Sequence, residues 1–187
     1  MSGLFKHVPN LLTGMRLVCA PALAFLLVWG ADRAALGVFA FAGLSDAADG
    51  YFAKRFGFAT RFGRYLDPAA DKLLMLAAFV ALTVMGFSPV WLAVLVIARD
   101  LAIVAGIALG HALGLPLKVE PLLIGKWSTA TQVVYVGFSL LLLALDLHWA
   151  NFARIAAYVT AAVTVASWLA YGGVLLKAFA VRYRRAA

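Results

Sequence analysis

The chain has 187 residues, 65% of them hydrophobic and only 13% charged, with a formal net charge of +8 and a mean hydropathy of +0.98. That balance excludes an ordinary soluble domain and points to an integral membrane protein. With no soluble basic region to carry it, the positive charge also excludes nucleic acid as a partner and fits a rim facing anionic lipid headgroups.

Six apolar runs read as membrane helices, each near the roughly 20 residues that a bilayer requires. They cover residues 11–29, 34–52, 66–87, 90–113, 124–145 and 152–178. Ahead of the first, residues 2–9 mix apolar and basic side chains, which suits either a short interfacial helix or a frayed end. The first run is too long for a signal peptide, and no small-residue cleavage site follows it near Asp32, so it counts as a helix. The runs are uninterrupted rather than alternating, which argues against strands. Little sequence remains for a soluble domain. The expected fold is all-α: a single domain over residues 1–187, built as a bundle of six transmembrane helices.

The cations fall unevenly between these runs. Lys6 and His7 precede the first, Lys54, Arg55, Arg61 and Arg64 separate the second from the third, Lys118 and Lys126 separate the fourth from the fifth, and Arg182, Arg184 and Arg185 follow the sixth. The alternate connections carry little beyond Arg33 and Arg154. By the positive-inside rule both termini and the basic connections face the cytoplasm. Trp29, Trp91, Trp127 and Trp149 stand at run ends, as interfacial anchors do. Cys19 is the only cysteine, which excludes an internal disulfide. His111 and His148 stand singly near run ends and suit the interface better than catalysis.

Against this apolar background, four of the eight acidic residues crowd into one stretch: Asp46, Asp49, Asp67 and Asp71. Asp46 and Asp49 are three apart, and Gly50 and Ala53 continue the same helical face with small residues that admit close approach. Gly63, Asp67 and Asp71 are spaced four and four, again one face. A short basic connection joins the two segments, so both acidic faces can converge near the cytoplasmic surface. Carboxylates at close quarters need compensating cations. Hard divalent ions with oxygen ligands, Mg²⁺ or Mn²⁺, meet that need and would clamp a pyrophosphate. A carboxylate less committed to metal could take a proton from an incoming hydroxyl, and Asp71 is the candidate. Two other readings stand beside this one. The first is a structural ion-pair network with Lys54, Arg55, Arg64 and Lys72. The second is a proton or cation pathway in a transporter.

These residues resemble the CDP-alcohol phosphotransferases, which carry D-x-x-D-G-x-x-A-R, eight further residues, and G-x-x-x-D-x-x-x-D. Here Asp46, Asp49, Gly50, Ala53, Gly63, Asp67 and Asp71 match at every spacing, and Lys54 stands where the family has arginine. The lysine keeps the charge and loses a bidentate fork, so Arg55 beside it is an equal candidate for a phosphate. The segment Pro9-Asn10-Leu11-Leu12-Thr13-Gly14-Met15-Arg16 also resembles the family's first-helix motif.

The resemblance implies six transmembrane helices, a homodimer and divalent metal, Mg²⁺ or Mn²⁺, on Asp46, Asp49, Asp67 and Asp71. It also implies proton transfer to Asp71 and release of CMP from a CDP-linked donor. Nucleotide contacts would come from Asn10, Thr13, Asp49, Gly50, Ala53, Lys54 and Gly63. For Asn10 and Thr13, helix capping explains the residue types equally well.

Residues 56–72 look like the bacterial branch that uses CDP-diacylglycerol, which implies a place in the inner membrane. Within it, Arg99-Asp100, and Ser128 where glycerol 3-phosphate enzymes typically carry a second lysine, are similar to the cardiolipin-forming members. Their acceptor, phosphatidylglycerol, is a singly charged phosphodiester held by the bilayer and needs fewer cations than a phosphomonoester. Arg55, Arg99 and Lys126 are the candidates for the acceptor's phosphate. The tail of the last run, with Ser167, Trp168 and Tyr171, resembles the same members. The alternative acceptor is glycerol 3-phosphate, as in phosphatidylglycerophosphate synthases.

Overall fold

A computed structural model describes the backbone of residues 8–56, 63–115, 122–147 and 149–186. It describes the side chains of 14–46, 69–110, 112–115, 122–147 and 149–180. Six helices follow one another: α1 (Val8–Val28), α2 (Asp32–Phe56), α3 (Gly63–Val84), α4 (Val90–Ala112), α5 (Leu123–Ala144) and α6 (Ala150–Ala186). Among the described residues there is no strand. The protein is therefore all-α, with each apolar run at the heart of one helix.

Several boundaries differ from the sequence expectation, and the longest extensions, those of α2 and α6, run through charged residues. Lys54 and Arg55 belong to the last turn of α2 rather than to a connection, and Lys126 lies in the first turn of α5. Arg182, Arg184 and Arg185 lie inside α6, whose 37 residues give a rod of about 55 Å at about 1.5 Å per residue. Lysine and arginine are good helix formers, and no proline or glycine interrupts them. The expected interfacial segment before residue 8, and His148, lie outside the described residues.

Helix ends follow a common local rule. After α1, the Gly30 amide donates to the Leu27 carbonyl and that of Ala31 to Leu26. After α3, Gly86 and Phe87 repeat the pattern on Thr83 and Leu82, and after α5, Asp146 and Leu147 do so on Leu143 and Leu142. This double closure needs a left-handed residue at the turn. Gly30 and Gly86 supply it with φ of 76° and 75°, and Asp146 adopts 53° despite its side chain. Pro89 opens α4 without loss, since an amide there would have no helical partner. The exposed Arg33 donates from Nε to the Ala144 carbonyl at 3.2 Å, placing a cation at the C-terminal end of α5.

Two compact units share the chain. One comprises Met1–Ser88 with Val136–Trp149, the other Pro89–Tyr135 with Ala150–Ala187. In the first, α1 packs against α2 and α3. Ala70, Leu74, Ala78 and Leu82 form an i, i+4 row along the buried face of α3, and Leu23 and Leu27 do the same on α1. In the second, α4 packs on α6, and the buried face of α6 is small and polar: Ala157, Thr160, Thr164 and Ser167.

The outward faces carry the large apolar side chains, including Val94, Leu101, Val104, Val134, Leu169 and Leu176. Large apolar side chains on the outward faces are what is expected where lipid rather than water surrounds the helices. Among the described residues, three helical spans are long and apolar enough to cross a membrane: Val90–Gly110, Leu123–Ala144 and Ala150–Ala180. Trp29, Trp91, Trp127 and Trp149 are all exposed, as the anchor reading requires.

Candidate active site

The acidic motif is divided between two helices, as its spacing predicts. Asp46 and Asp49 are one i, i+3 step apart within α2, and Gly63, Asp67 and Asp71 are successive i, i+4 steps along the start of α3. α1 lies against both of these helices and contributes Arg16. A single nitrogen of that arginine, Nη1, donates to Asp46 Oδ1 at 2.8 Å and to Asp71 Oδ1 at 2.7 Å. The first and last carboxylates of the motif, 25 positions apart in the chain, are thus within two hydrogen-bond lengths of each other.

Burial is unequal across this triad. The Arg16 side chain is 1% exposed, whereas those of Asp46 and Asp71 are 53% and 45% exposed. The cation therefore lies on the interior side and the carboxylates open outward. An arginine so deep in an apolar helix is costly unless counter-charges meet it, and among the described residues Asp46 and Asp71 do. Ser45, buried next to Asp46, donates to the Phe41 carbonyl at 2.7 Å within α2.

The donor set suits a hard divalent ion: two carboxylates with exposed oxygen-bearing faces, held close together, on the helices that also carry Asp49 and Asp67. Mg²⁺ or Mn²⁺ fits these residues. The side chains of Asn10, Thr13, Asp49, Gly50, Ala53, Lys54, Arg55, Gly63 and Asp67 lie outside those described. The backbone nevertheless bears on two of them. α1 begins at Val8, so Thr13 is a full turn inside the helix and Asn10 is in its first turn. Neither occupies a capping position, and together with Arg16 they form one i, i+3 row of α1.

Arg16 is the site residue that sequence reasoning missed. It was legible as a cation in the middle of the 11–29 apolar run, by the same cost argument that singled out the aspartates.

The second unit holds the two expected acceptor residues whose side chains are described. Arg99 is 4% exposed. Its Nη1 donates to Asp100 Oδ1 at 2.7 Å and its Nη2 to Ser167 Oγ at 2.6 Å. The guanidinium carbon lies 5.9 Å from the centre of the Tyr171 ring, within cation–π range. Ser167 and Tyr171, which entered only through a resemblance, thereby acquire a chemical role as the seat of Arg99. Lys126, by contrast, is exposed on the first turn of α5.

Ser128 is fully buried between α5 and α6, donating to Thr164 Oγ1 at 3.4 Å and accepting from Gln132 Nε2 at 3.3 Å. Sequence reasoning treated this position as a missing cation. The structure also makes it part of a polar seam that closes on three small hydroxyl and amide groups.

The family model of the CDP-alcohol phosphatidyltransferases matches residues 6–171. Among curated proteins, the chain is 34% identical over 181 residues to the cardiolipin synthase (CMP-forming)/mitochondrial hydrolase fusion protein of Schizosaccharomyces pombe, covering 88% of this chain and 30% of that protein. It is 34% identical over 149 residues to human cardiolipin synthase (CMP-forming), covering 71% of this chain and 50% of the human protein. It is 32% identical over 181 residues to the CDP-diacylglycerol–glycerol-3-phosphate 3-phosphatidyltransferase of Bacillus subtilis, covering 88% of this chain and 93% of that protein. The chain thus spans half or less of the cardiolipin-forming relatives and nearly all of the Bacillus one. Matched over most of its length, and through every helix that carries the acidic motif, the chain belongs to the CDP-alcohol phosphatidyltransferase family.

Proposed function

We propose that this chain transfers a phosphatidyl group from CDP-diacylglycerol to the terminal hydroxyl of phosphatidylglycerol, giving cardiolipin and CMP. The observation that carries the transfer reading is the convergence of Asp46 and Asp71, from two helices, on one buried cation. The acceptor hydroxyl loses its proton to Asp71, its oxygen bonds to the diacylglycerol-bearing phosphorus, and the bond from that phosphorus to CMP breaks. Mg²⁺ or Mn²⁺ on Asp46, Asp49, Asp67 and Asp71 would neutralise the pyrophosphate and the departing CMP. Gly50, Ala53 and Gly63 leave room for the nucleotide, which Asn10, Thr13, Asp49 and Lys54 contact. Arg99, Lys126 and Arg55 meet the acceptor phosphate.

Phosphatidylglycerol is favoured as acceptor because position 128 carries an uncharged serine, which lowers the cation count for a phosphomonoester. The cardiolipin-forming relatives point the same way. A second reading, glycerol 3-phosphate as acceptor, draws on the Bacillus relative, nearly all of which this chain covers. In either case all six helices cross a bacterial inner membrane, with both termini and the aspartates on the cytoplasmic side, and two copies form a homodimer.

The deciding experiment offers purified protein CDP-diacylglycerol and Mn²⁺ with each acceptor separately, following CMP and lipid product. Cardiolipin from phosphatidylglycerol alone supports the first reading. Phosphatidylglycerophosphate from glycerol 3-phosphate transfers the assignment to the second. No CMP release with either acceptor removes both.

A further inference from the structure

Arg16 stands apart from the other cations of this chain. It comes from α1, a helix that contributes no acidic residue, and its Nη1 bonds both Asp46 Oδ1 and Asp71 Oδ1. Its side chain is closed off while the two carboxylates remain about half open. If the three residues served only to hold helices together, apolar side chains of similar volume would serve as well or better. Buried ion pairs are often replaceable by hydrophobes without loss of stability. A buried arginine keeps its charge at any working pH, so it is a fixed reference for the carboxylates it touches. It also approaches them from the interior, leaving their exposed parts to whatever comes from outside.

We propose that Arg16 is a positioning residue of the transfer reaction: from behind, it ties the α2 carboxylate of Asp46 to the α3 carboxylate of Asp71 and holds both in place for cation and acceptor hydroxyl. The proposal rests on the reading of Asp46 as a metal ligand and Asp71 as the proton acceptor. It adds that the third helix of the site, α1, enters the chemistry through a residue that touches neither substrate nor metal. Without Arg16, the two carboxylates lose their common tether and repel one another, so each would rotate away from its partner. Because one nitrogen carries both bonds, a lysine at this position can restore part of the tether, whereas glutamine cannot supply the charge.

The test compares wild type, Arg16→Lys and Arg16→Gln, each purified with its detergent or nanodisc shell. Mn²⁺ binding is followed by electron paramagnetic resonance with no lipid substrate present, and CMP release is measured from CDP-diacylglycerol and phosphatidylglycerol at saturating Mn²⁺. Arg16→Gln is expected to lower kcat about 100-fold, the scale of a misplaced catalytic group, and to broaden the spectrum of bound Mn²⁺. Arg16→Lys should recover at least a tenth of the wild-type rate and the narrower spectrum.

The proposal is overturned by Arg16→Gln turning over within threefold of wild type. It is equally overturned by a rate loss with an unchanged Mn²⁺ spectrum and no recovery by lysine, since that is the mark of a merely structural residue. Tighter Mn²⁺ binding with activity kept would show a placeholder that metal displaces, and would also overturn it. If the variants do not fold, a Mn²⁺-bound structure of the wild type decides. Nη1 still on both carboxylates supports positioning, and Nη1 withdrawn from either refutes it. Wild type that binds no Mn²⁺ and releases no CMP overturns the functional reading and this proposal together. An active wild type with an unaffected Arg16→Gln overturns this proposal alone.

Discussion

Two side chains connect structure to chemistry most directly. Asp71 is half-exposed and its Oδ1 accepts from Arg16, a geometry that ties the carboxylate to α1 on its interior side. Asp71→Asn keeps the shape, and a hydrogen bond from Arg16, but removes the proposed base. It should bind Mn²⁺ and CDP-diacylglycerol while kcat for CMP release falls by about 100-fold to 10,000-fold. Turnover near wild type would remove Asp71 from that role. Ser167 offers a second handle. It accepts the Arg99 Nη2 hydrogen bond in a fully buried setting. Ser167→Ala should raise KM for phosphatidylglycerol about tenfold, the equivalent of one charge-assisted hydrogen bond, with kcat little changed. An unmoved KM would make Arg99 a structural residue. Asp46 and Asp71 were legible in the sequence because charge in an apolar chain is costly. That Arg16 is their partner was not, because 30 and 55 positions separate it from them and only the packing of α1 on two other helices closes that distance.

Helices in this chain are specified by long apolar runs, yet the α5–α6 seam is made by small and polar groups. Thr164 takes hydrogen bonds from Ser128 and Gln132 across the α5–α6 seam, each at 3.4 Å. These are long bonds, worth about 0.6 kcal/mol apiece in a membrane interior.

Close approach matters as much. A Cβ at Gly125 would stand 2.9 Å from the Tyr171 hydroxyl and 3.1 Å from its ring, whereas one at Gly106 would meet only the tip of Leu175. A leucine methyl swings aside. A tyrosine ring moves as a plate, and this one lies beside Arg99. Gly125→Ala should therefore destabilise the protein by about 1–3 kcal/mol and weaken acceptor binding, while Gly106→Ala leaves the melting temperature nearly unchanged or raises it through helix propensity. Thermal melts of the two variants in the same detergent check the contrast, and equal losses would contradict it. Helix existence could be read from hydropathy. The extension of α2 and α6 through their flanking cations could not, since an apolar window ends at the first charge even where the backbone continues.

For the whole molecule, the proposed topology follows from the distribution of Lys and Arg. It has a direct check in bacterial cells, aided by the single native cysteine. In a Cys19→Ala background, Ala31→Cys, in the α1–α2 connection, should react with a membrane-impermeant maleimide in intact spheroplasts. Ala187→Cys should react only after the membrane is opened. The reverse pattern would turn the aspartates to the outside, away from a cytoplasmic nucleotide donor.

Sequence alone determined the helical membrane class, the six segments, the acidic motif and the family, because cost in an apolar solvent and fixed helical periodicity are local properties of the chain. Only the tertiary structure decided which cation meets the motif, that Arg99 is seated on Asp100, Ser167 and Tyr171, and that Ser128 closes a seam between helices. Apart from that of Arg99 with the adjacent Asp100, those are pairings between distant positions, and lipid-facing and protein-facing apolar residues look alike in a sequence. The faces that touch are picked out by how particular side chains pack, which no hydropathy window resolves.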